Sequence, residues 1–97
     1  MRRKLSSDEI SDALQDAPLW VLDEAGIAIS RSFRFENFSE AFGFMTRAAL
    51  AAEKLDHHPE WFNVYRQVDV RLTTHSVDGL SGLDFKLAKA MDTLASG

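Results

Sequence analysis

No cysteine occurs among the 97 residues. Its absence excludes disulfides, thiolate nucleophiles and thiolate metal sites, and it fits a reducing compartment. Proline is scarce too, with only Pro18 and Pro59, and no linker, repeat or low-complexity tract divides the chain. A single domain spanning residues 1–97 is therefore expected. No apolar run approaches the ~18–20 residues that a membrane span requires. The basic start Arg2-Arg3-Lys4 runs into Leu5-Ser6-Ser7-Asp8-Glu9 rather than an apolar stretch, so export is not expected and a cytoplasmic location is. Excess positive charge is also missing. Eleven Lys and Arg against 15 Asp and Glu leave a net charge of −4, which argues against nucleic acid as a partner. The composition that remains is that of a globular protein, 45% hydrophobic and 27% charged. A chain of this length buries roughly 60–70% of the surface its unfolded form exposes, enough for a modest core.

Three capping signals punctuate the chain. Ser6-Ser7-Asp8-Glu9 predicts a short helix with Ile10, Ala13, Leu14 and Ala17 inward, stopped by Pro18. Leu19 to Leu22 is a short apolar run, followed by turn chemistry at Asp23-Glu24-Ala25-Gly26. Ile27 to Phe35 then alternates, with Ile27, Ile29, Phe33 and Phe35 on one face and Arg31 interrupting it, so a hairpin of two strands is expected. The second signal, Asn37-Phe38-Ser39-Glu40, opens the longest element, a helix over about residues 38–56. Its stripe reads Phe38, Ala41, Phe42, Met45, Ala48, Ala49, Ala52 and Leu55, with Phe44 and Leu50 off it. Pro59 disfavours helix at His58, so this helix must end near His57. Phe62 to Thr74 reads as strand, split by a turn near Arg66-Gln67, with Val68, Val70, Leu72 and Thr74 alternating against Asp69, Arg71, Thr73 and His75. After a loop over Ser76–Gly79, Ser81-Gly82-Leu83-Asp84 opens a last helix with Leu83, Leu87, Ala90, Met91 and Leu94 inward. The order predicts an α+β fold, an antiparallel sheet with helices packed on one face.

Histidine is the other scarce residue, and all three copies fall at element ends: His57, His58 and His75. Element ends and loops are where sites are built. An imidazole titrates near neutrality and both gives and takes protons. Glu53 lies four residues before His57 and so is expected on its helix face, and Asp56 and Asp84 are further carboxylates able to fix a tautomer. Two other readings stand beside this one. The adjacent pair can simply cap a helix while His75 is a surface residue. Three histidines and a carboxylate can also hold zinc or iron, but adjacent histidines project in different directions, whereas ligand pairs favour i,i+2 on strands or i,i+3 and i,i+4 on helices. No nucleophile elbow and no glycine-rich phosphate loop is present.

The run Glu53-Lys54-Leu55-Asp56-His57-His58-Pro59-Glu60-Trp61-Phe62-Asn63-Val64-Tyr65 closely resembles the signature of the pterin-4a-carbinolamine dehydratases. The match continues through Val68, Val70, Leu72, Thr74 and His75, and then Gly79, Leu80, Ser81 and Asp84. Upstream, Ala41-Phe42-Gly43-Phe44-Met45-Thr46-Arg47 is similar to the helix that precedes the motif in that family. The resemblance is strong from about Phe33 to Leu87 and weaker before Phe33, where Trp20 and the Ser6–Glu9 cap are the main matches.

The resemblance implies a four-stranded antiparallel sheet with three helices on one side. It implies dehydration of a 4a-hydroxytetrahydropterin to a quinonoid dihydropterin, in recycling of the cofactor that aromatic amino acid hydroxylases use. No metal or organic cofactor is implied. Family members are dimers or tetramers assembled in part through the long helix, which would give Phe44 and Leu50 a role. Animal members also stabilise the dimer of a homeodomain transcription factor; a family match does not carry that role over, so a protein-binding module working through the long helix remains the alternative. By the resemblance His57 and His75 are the acid and base, and His58 orients the pterin. Glu53 and Asp56 tune His57 or hold pterin nitrogens, Trp20 lies beside the ring, Pro59 fixes the corner, and Thr74 and Asp84 support the pocket. Gly82 in the first turn of the last helix departs from good helix-forming chemistry but does not touch the motif.

Overall fold

The computed structural model describes residues 2–96; Met1 and Gly97, the two ends of the expected domain, lie outside the described residues. Ser6 opens helix α1 (Ser7–Gln15) through a reciprocal capping box with Glu9. Arg3 clasps the Glu9 carboxylate, and with the Ser6 amide it holds that group down at about 2. Strands β1 (Val21–Leu22) and β2 (Ile29–Arg34) form the first hairpin. Helix α2 (Phe38–Leu55) follows, then β3 (Glu60–Val64) and β4 (Gln67–Leu72), a single 3₁₀ turn (His75–Val77) and helix α3 (Gly82–Ser96). The fold is α+β, with three helices and a four-stranded antiparallel sheet of order β1-β2-β4-β3.

Strand alternation sorts the sheet's two faces. Ile29 and Phe33 of β2 and Val68, Val70 and Leu72 of β4 are buried and share one core cluster with Ile10 of α1, Ala41, Phe44, Ala48 and Ala52 of α2, and Leu87, Ala88 and Met91 of α3. All three helices therefore cover the same face. Arg31, which interrupts the apolar side of β2, stays on that face. Its guanidinium lies 4.1 Å from the Phe33 ring centroid and pairs with Asp92 of α3, so its charge is compensated at the core's edge.

Three elements depart from the periodicity reading. The long helix is rotated. Its buried line is Ala41, Phe44, Ala48 and Ala52, while Phe38 and Phe42 are about half exposed. Both arcs contain Ala41, Ala48 and Ala52, although Ala49 of the expected stripe is exposed, and a helix apolar on most sides offers no unique stripe. Ring packing decides: Phe44 sits 4.7 Å from Phe33 and 5.0 Å from Phe35, centroid to centroid. Full burial of such a ring contributes roughly 1.5–3 kcal/mol. Leu50 is exposed, as expected. The last helix is similarly offset, with Asp84, Leu87, Ala88 and Met91 buried and Leu83, Ala90 and Leu94 only half-buried.

The second hairpin is the third departure. Its strand begins at Glu60 rather than Phe62, and the turn falls at Tyr65-Arg66, one residue early. Tyr65 takes a left-handed conformation (φ 53°), and the Asn63 side-chain amide donates to the Tyr65 and Gln67 carbonyls across the turn. That local amide bridge makes a turn without glycine possible.

Candidate active site

The site begins with how α2 stops. Asp56 adopts a left-handed conformation (φ 52°), its amide bonds to the Glu53 carbonyl, and the His57 amide bonds to the Ala52 carbonyl. This is a Schellman closure, with aspartate in the place glycine usually takes. The chain reverses at that residue, so adjacent imidazoles part company. His57 turns inward and is 6% exposed, whereas the His58 side chain remains in solvent. Pro59 then commits the backbone to the extended form that becomes β3.

His57 meets a carboxylate that is wholly buried. Its Nε2 lies 2.5 Å from Oδ1 of Asp84, which has no solvent exposure. The other oxygen, Oδ2, accepts from the Thr74 hydroxyl at 2.7 Å and the Ser81 backbone amide at 2.9 Å. The Thr74 and Ser81 hydroxyls are themselves 2.8 Å apart, and Ser81 Oγ accepts from the Leu83 amide. A buried carboxylate is costly unless its lone pairs are met. Here both oxygens are met, and among the described residues every fully buried side-chain nitrogen or oxygen has a partner. The expected capping box at α3 is thus half used: Asp84 reaches back to the Ser81 amide, and its remaining capacity goes to Thr74 and His57.

Thr74 also places the third histidine. Its amide bonds to the Gly79 carbonyl, closing the loop that holds the 3₁₀ turn, and its buried hydroxyl pins the end of β4 to α3. His75 follows directly, so His57 and His75 are joined through Asp84 and Thr74. The His75 ring is exposed, and its Nε2 lies 3.0 Å from Oε2 of Glu60. His58 pairs in the same fashion with Glu53, at 2.9 Å. An ionised carboxylate only accepts, so the hydrogen-bond network assigns the proton of each neutral imidazole to Nε2 and leaves the lone pair on Nδ1. Each of the three histidines is thus tethered through Nε2 to its own carboxylate.

Several expected residues occupy different places. Glu53 does not share a face with His57, because the helix ends at Leu55 and the i,i+4 relation lapses; it serves His58. The Asp56 carboxylate is exposed and its neighbour is Arg2, which bonds to the Asp56 carbonyl and stands 3.8 Å from its Oδ2. Asp56 contributes through its backbone reversal. Trp20 is buried in the core, edge-on to Phe33 at 5.9 Å, and its indole donates to Asp92 at 2.9 Å, so it acts as a core residue tying the segment before β1 to α3. Glu60 and Ser81 are the residues that the reading assigned no part in the site. Ser81 was visible as a cap and a motif position but not as a partner of Asp84, and the role of Glu60, also a motif position, depends on β3 beginning two residues early. Among the described residues no three His, Asp or Glu side chains converge as a metal-holding group.

On the opposite, helix-free face of the sheet a trough of about 710 Å³ runs past Val21, Ser30, Ser32, Phe62 and Asp69. It includes Glu60 and Arg71 but none of the histidines. Because none of the three histidines lines it, the trough itself is not the candidate site.

Residues 3–94 match the family described as pterin 4 alpha carbinolamine dehydratase. A protein of Chelativorans sp. (strain BNC1) that carries a provisional pterin-4-alpha-carbinolamine dehydratase name is 63% identical over 95 residues, covering 98% of this chain and 97% of that one. One from Sinorhizobium fredii (strain NBRC 101917 / NGR234), similarly named, is 58% identical over 94 residues, covering 97% and 90%. A crystal structure of a protein from Brucella melitensis, described as a transcriptional coactivator/pterin dehydratase, superposes with a TM-score of 0.92 at 52% identity, covering 96% of this chain and 99% of that one.

The buried carboxylate makes a direct prediction. In Asp84→Asn the carboxamide keeps one acceptor oxygen for three donors, and its NH₂ must face either the Ser81 amide or His57. Stability should fall by about 1–3 kcal/mol, read from chemical denaturation. A variant as stable as the parent would show that the carboxylate does not hold these three segments together.

Proposed function

The chain belongs to the pterin-4a-carbinolamine dehydratase family, a family of hydro-lyases, and from that premise we propose that it converts a 4a-hydroxytetrahydropterin to the quinonoid dihydropterin and water by histidine acid/base catalysis. The observation that carries the reading is the junction of His57 and His75 through Asp84 and Thr74. Loss of the 4a hydroxyl requires a proton delivered to the departing oxygen, and N5 must surrender its own. One imidazole as donor and another as acceptor meet both needs, each contributing roughly 10²–10⁴-fold. His57 and His75 take those parts. His58, steered away by the Asp56 reversal and tethered to Glu53, orients the pterin. Such a step recycles a tetrahydropterin after its use by an aromatic amino acid hydroxylase. It needs no cofactor, and it would run in the cytoplasm as the work of one domain. Among the described residues no helix is long and apolar enough to cross a membrane.

Rapid spectroscopy of chemically generated 4a-hydroxytetrahydropterin tests the proposal. The protein should accelerate its decay over buffer. His57→Ala and His75→Ala should each lose roughly 10²–10⁴-fold, and the double variant should approach the uncatalysed rate. No acceleration by the parent, or full activity in the double variant, overturns the proposal.

A second reading concerns assembly. The Phe38 and Phe42 rings lie 5.8 Å apart, tilted by 38°, on exposed positions of α2, and Leu50 two turns further along is exposed as well. We propose that this face joins copies of the chain into a dimer or tetramer, the alternative being a different protein partner. Sedimentation equilibrium should find an oligomer that Phe42→Glu or Leu50→Glu dissociates. A monomeric parent would favour the alternative.

A further inference from the structure

We infer that Glu60 is a positioning residue for His75: anchored by Arg71, its carboxylate keeps the proton of the neutral imidazole on Nε2 and presents the Nδ1 lone pair to substrate. The inference rests on the dehydratase reading and extends it to a residue outside the histidine set.

The chain of contacts starts in the sheet. Glu60 and Arg71 are direct cross-strand partners in the β3–β4 register, and Arg71 Nη1 lies 3.0 Å from Oε1 of Glu60. Opposite charges facing each other across an antiparallel pair are a favourable arrangement. Arg71 is steadied in turn by Asp23 of the β1–β2 turn, 3.6 Å from its Nη2. The Asp23 carboxylate accepts from the Ile27 and Ala28 amides. Those amides, that of Ile27 foremost, hold Asp23 below the usual carboxylate range, so it meets Arg71 as an anion. With Oε1 engaged, Glu60 turns Oε2 to His75 Nε2 at 3.0 Å.

An exposed pair standing alone fixes little, because two mobile side chains must be ordered to form it. Here each end has an anchor. Glu60 is set by strand register and by Arg71, and the His75 backbone is set by Thr74, whose hydroxyl is buried against Asp84 and Ser81. The two proton-transfer histidines therefore stand on unlike supports. His57 rests on an interior carboxylate and His75 on a solvent-facing one that the sheet holds in place.

The test is Glu60→Gln. The glutamine oxygen can keep Arg71, but its NH₂ must then donate to His75 Nε2, which moves the imidazole proton to Nδ1. Ring ¹⁵N spectra of histidine-labelled protein should show His75 protonated on Nε2 in the parent and on Nδ1 in the variant. The variant should lose roughly tenfold or more in kcat, with KM changed less than about twofold. In a His75→Ala background the same substitution should have no further effect, since the residue it acts through is gone. A tautomer that does not change, a changed tautomer with unaltered kcat, or an equal loss in the His75→Ala background would each overturn the inference. If the parent fails to dehydrate the pterin, the dehydratase reading fails, while the spectra still decide whether Glu60 sets the His75 tautomer.

Discussion

A carboxylate with no access to water needs a partner for every lone pair it keeps, and Asp84 finds its partners in three different segments. His57 comes from the reversal after α2, Thr74 from the end of β4, and Ser81 from the start of α3. Removing one member of such a buried hydrogen-bonded arrangement leaves a polar group unmet and costs about 1–3 kcal/mol, a sizeable fraction of the stability of a small domain. The requirement that stabilises the ion thus also fixes where three element ends meet. The histidines at those ends are positioned as a consequence.

Around that junction each imidazole is treated alike and each carboxylate differently. All three rings use Nε2 for support. The supports range from the buried Asp84, through the sheet-anchored Glu60, to the exposed Glu53 on the last turn of α2. The proposed proton transfer between a substrate oxygen and a nitrogen would draw on this gradation, which sets groups of the same type in unlike surroundings. Among the described residues, the open face of the sheet reaches the histidines through Glu60, which Arg71 anchors.

Much of this was legible beforehand. The caps at Ser6 and Asn37, the alternation in β2 and β4, and the proline after His58 each reflect local chemistry, and each element stands where that chemistry put it. The three histidines drew notice by scarcity and position, and the ordered match from Glu53 to Asp84 identified the family that the comparisons show. What stayed hidden depended on tertiary contact. The rotation of α2 turns on whether Phe44 or Phe42 meets Phe33, and an alanine-rich helix does not say. Glu53 was assigned to His57 because helical spacing was extended through Asp56, where a left-handed residue breaks it. Trp20 was placed beside the substrate, but its indole finds Asp92, 72 residues away. The part played by Glu60 requires strand register, which spacing alone does not reveal.

The claim that His57 and His75 face the reacting atoms through Nδ1 is tested most directly by a crystal structure of the protein with a reduced pterin that lacks the 4a hydroxyl. The expected result places the ring between the two imidazoles, with one Nδ1 within about 3.2 Å of N5 and the other within reach of the position of the missing oxygen, directly or through one water. A pterin seated in the trough over Phe62, with both Nδ1 atoms out of reach of the ring, would contradict it.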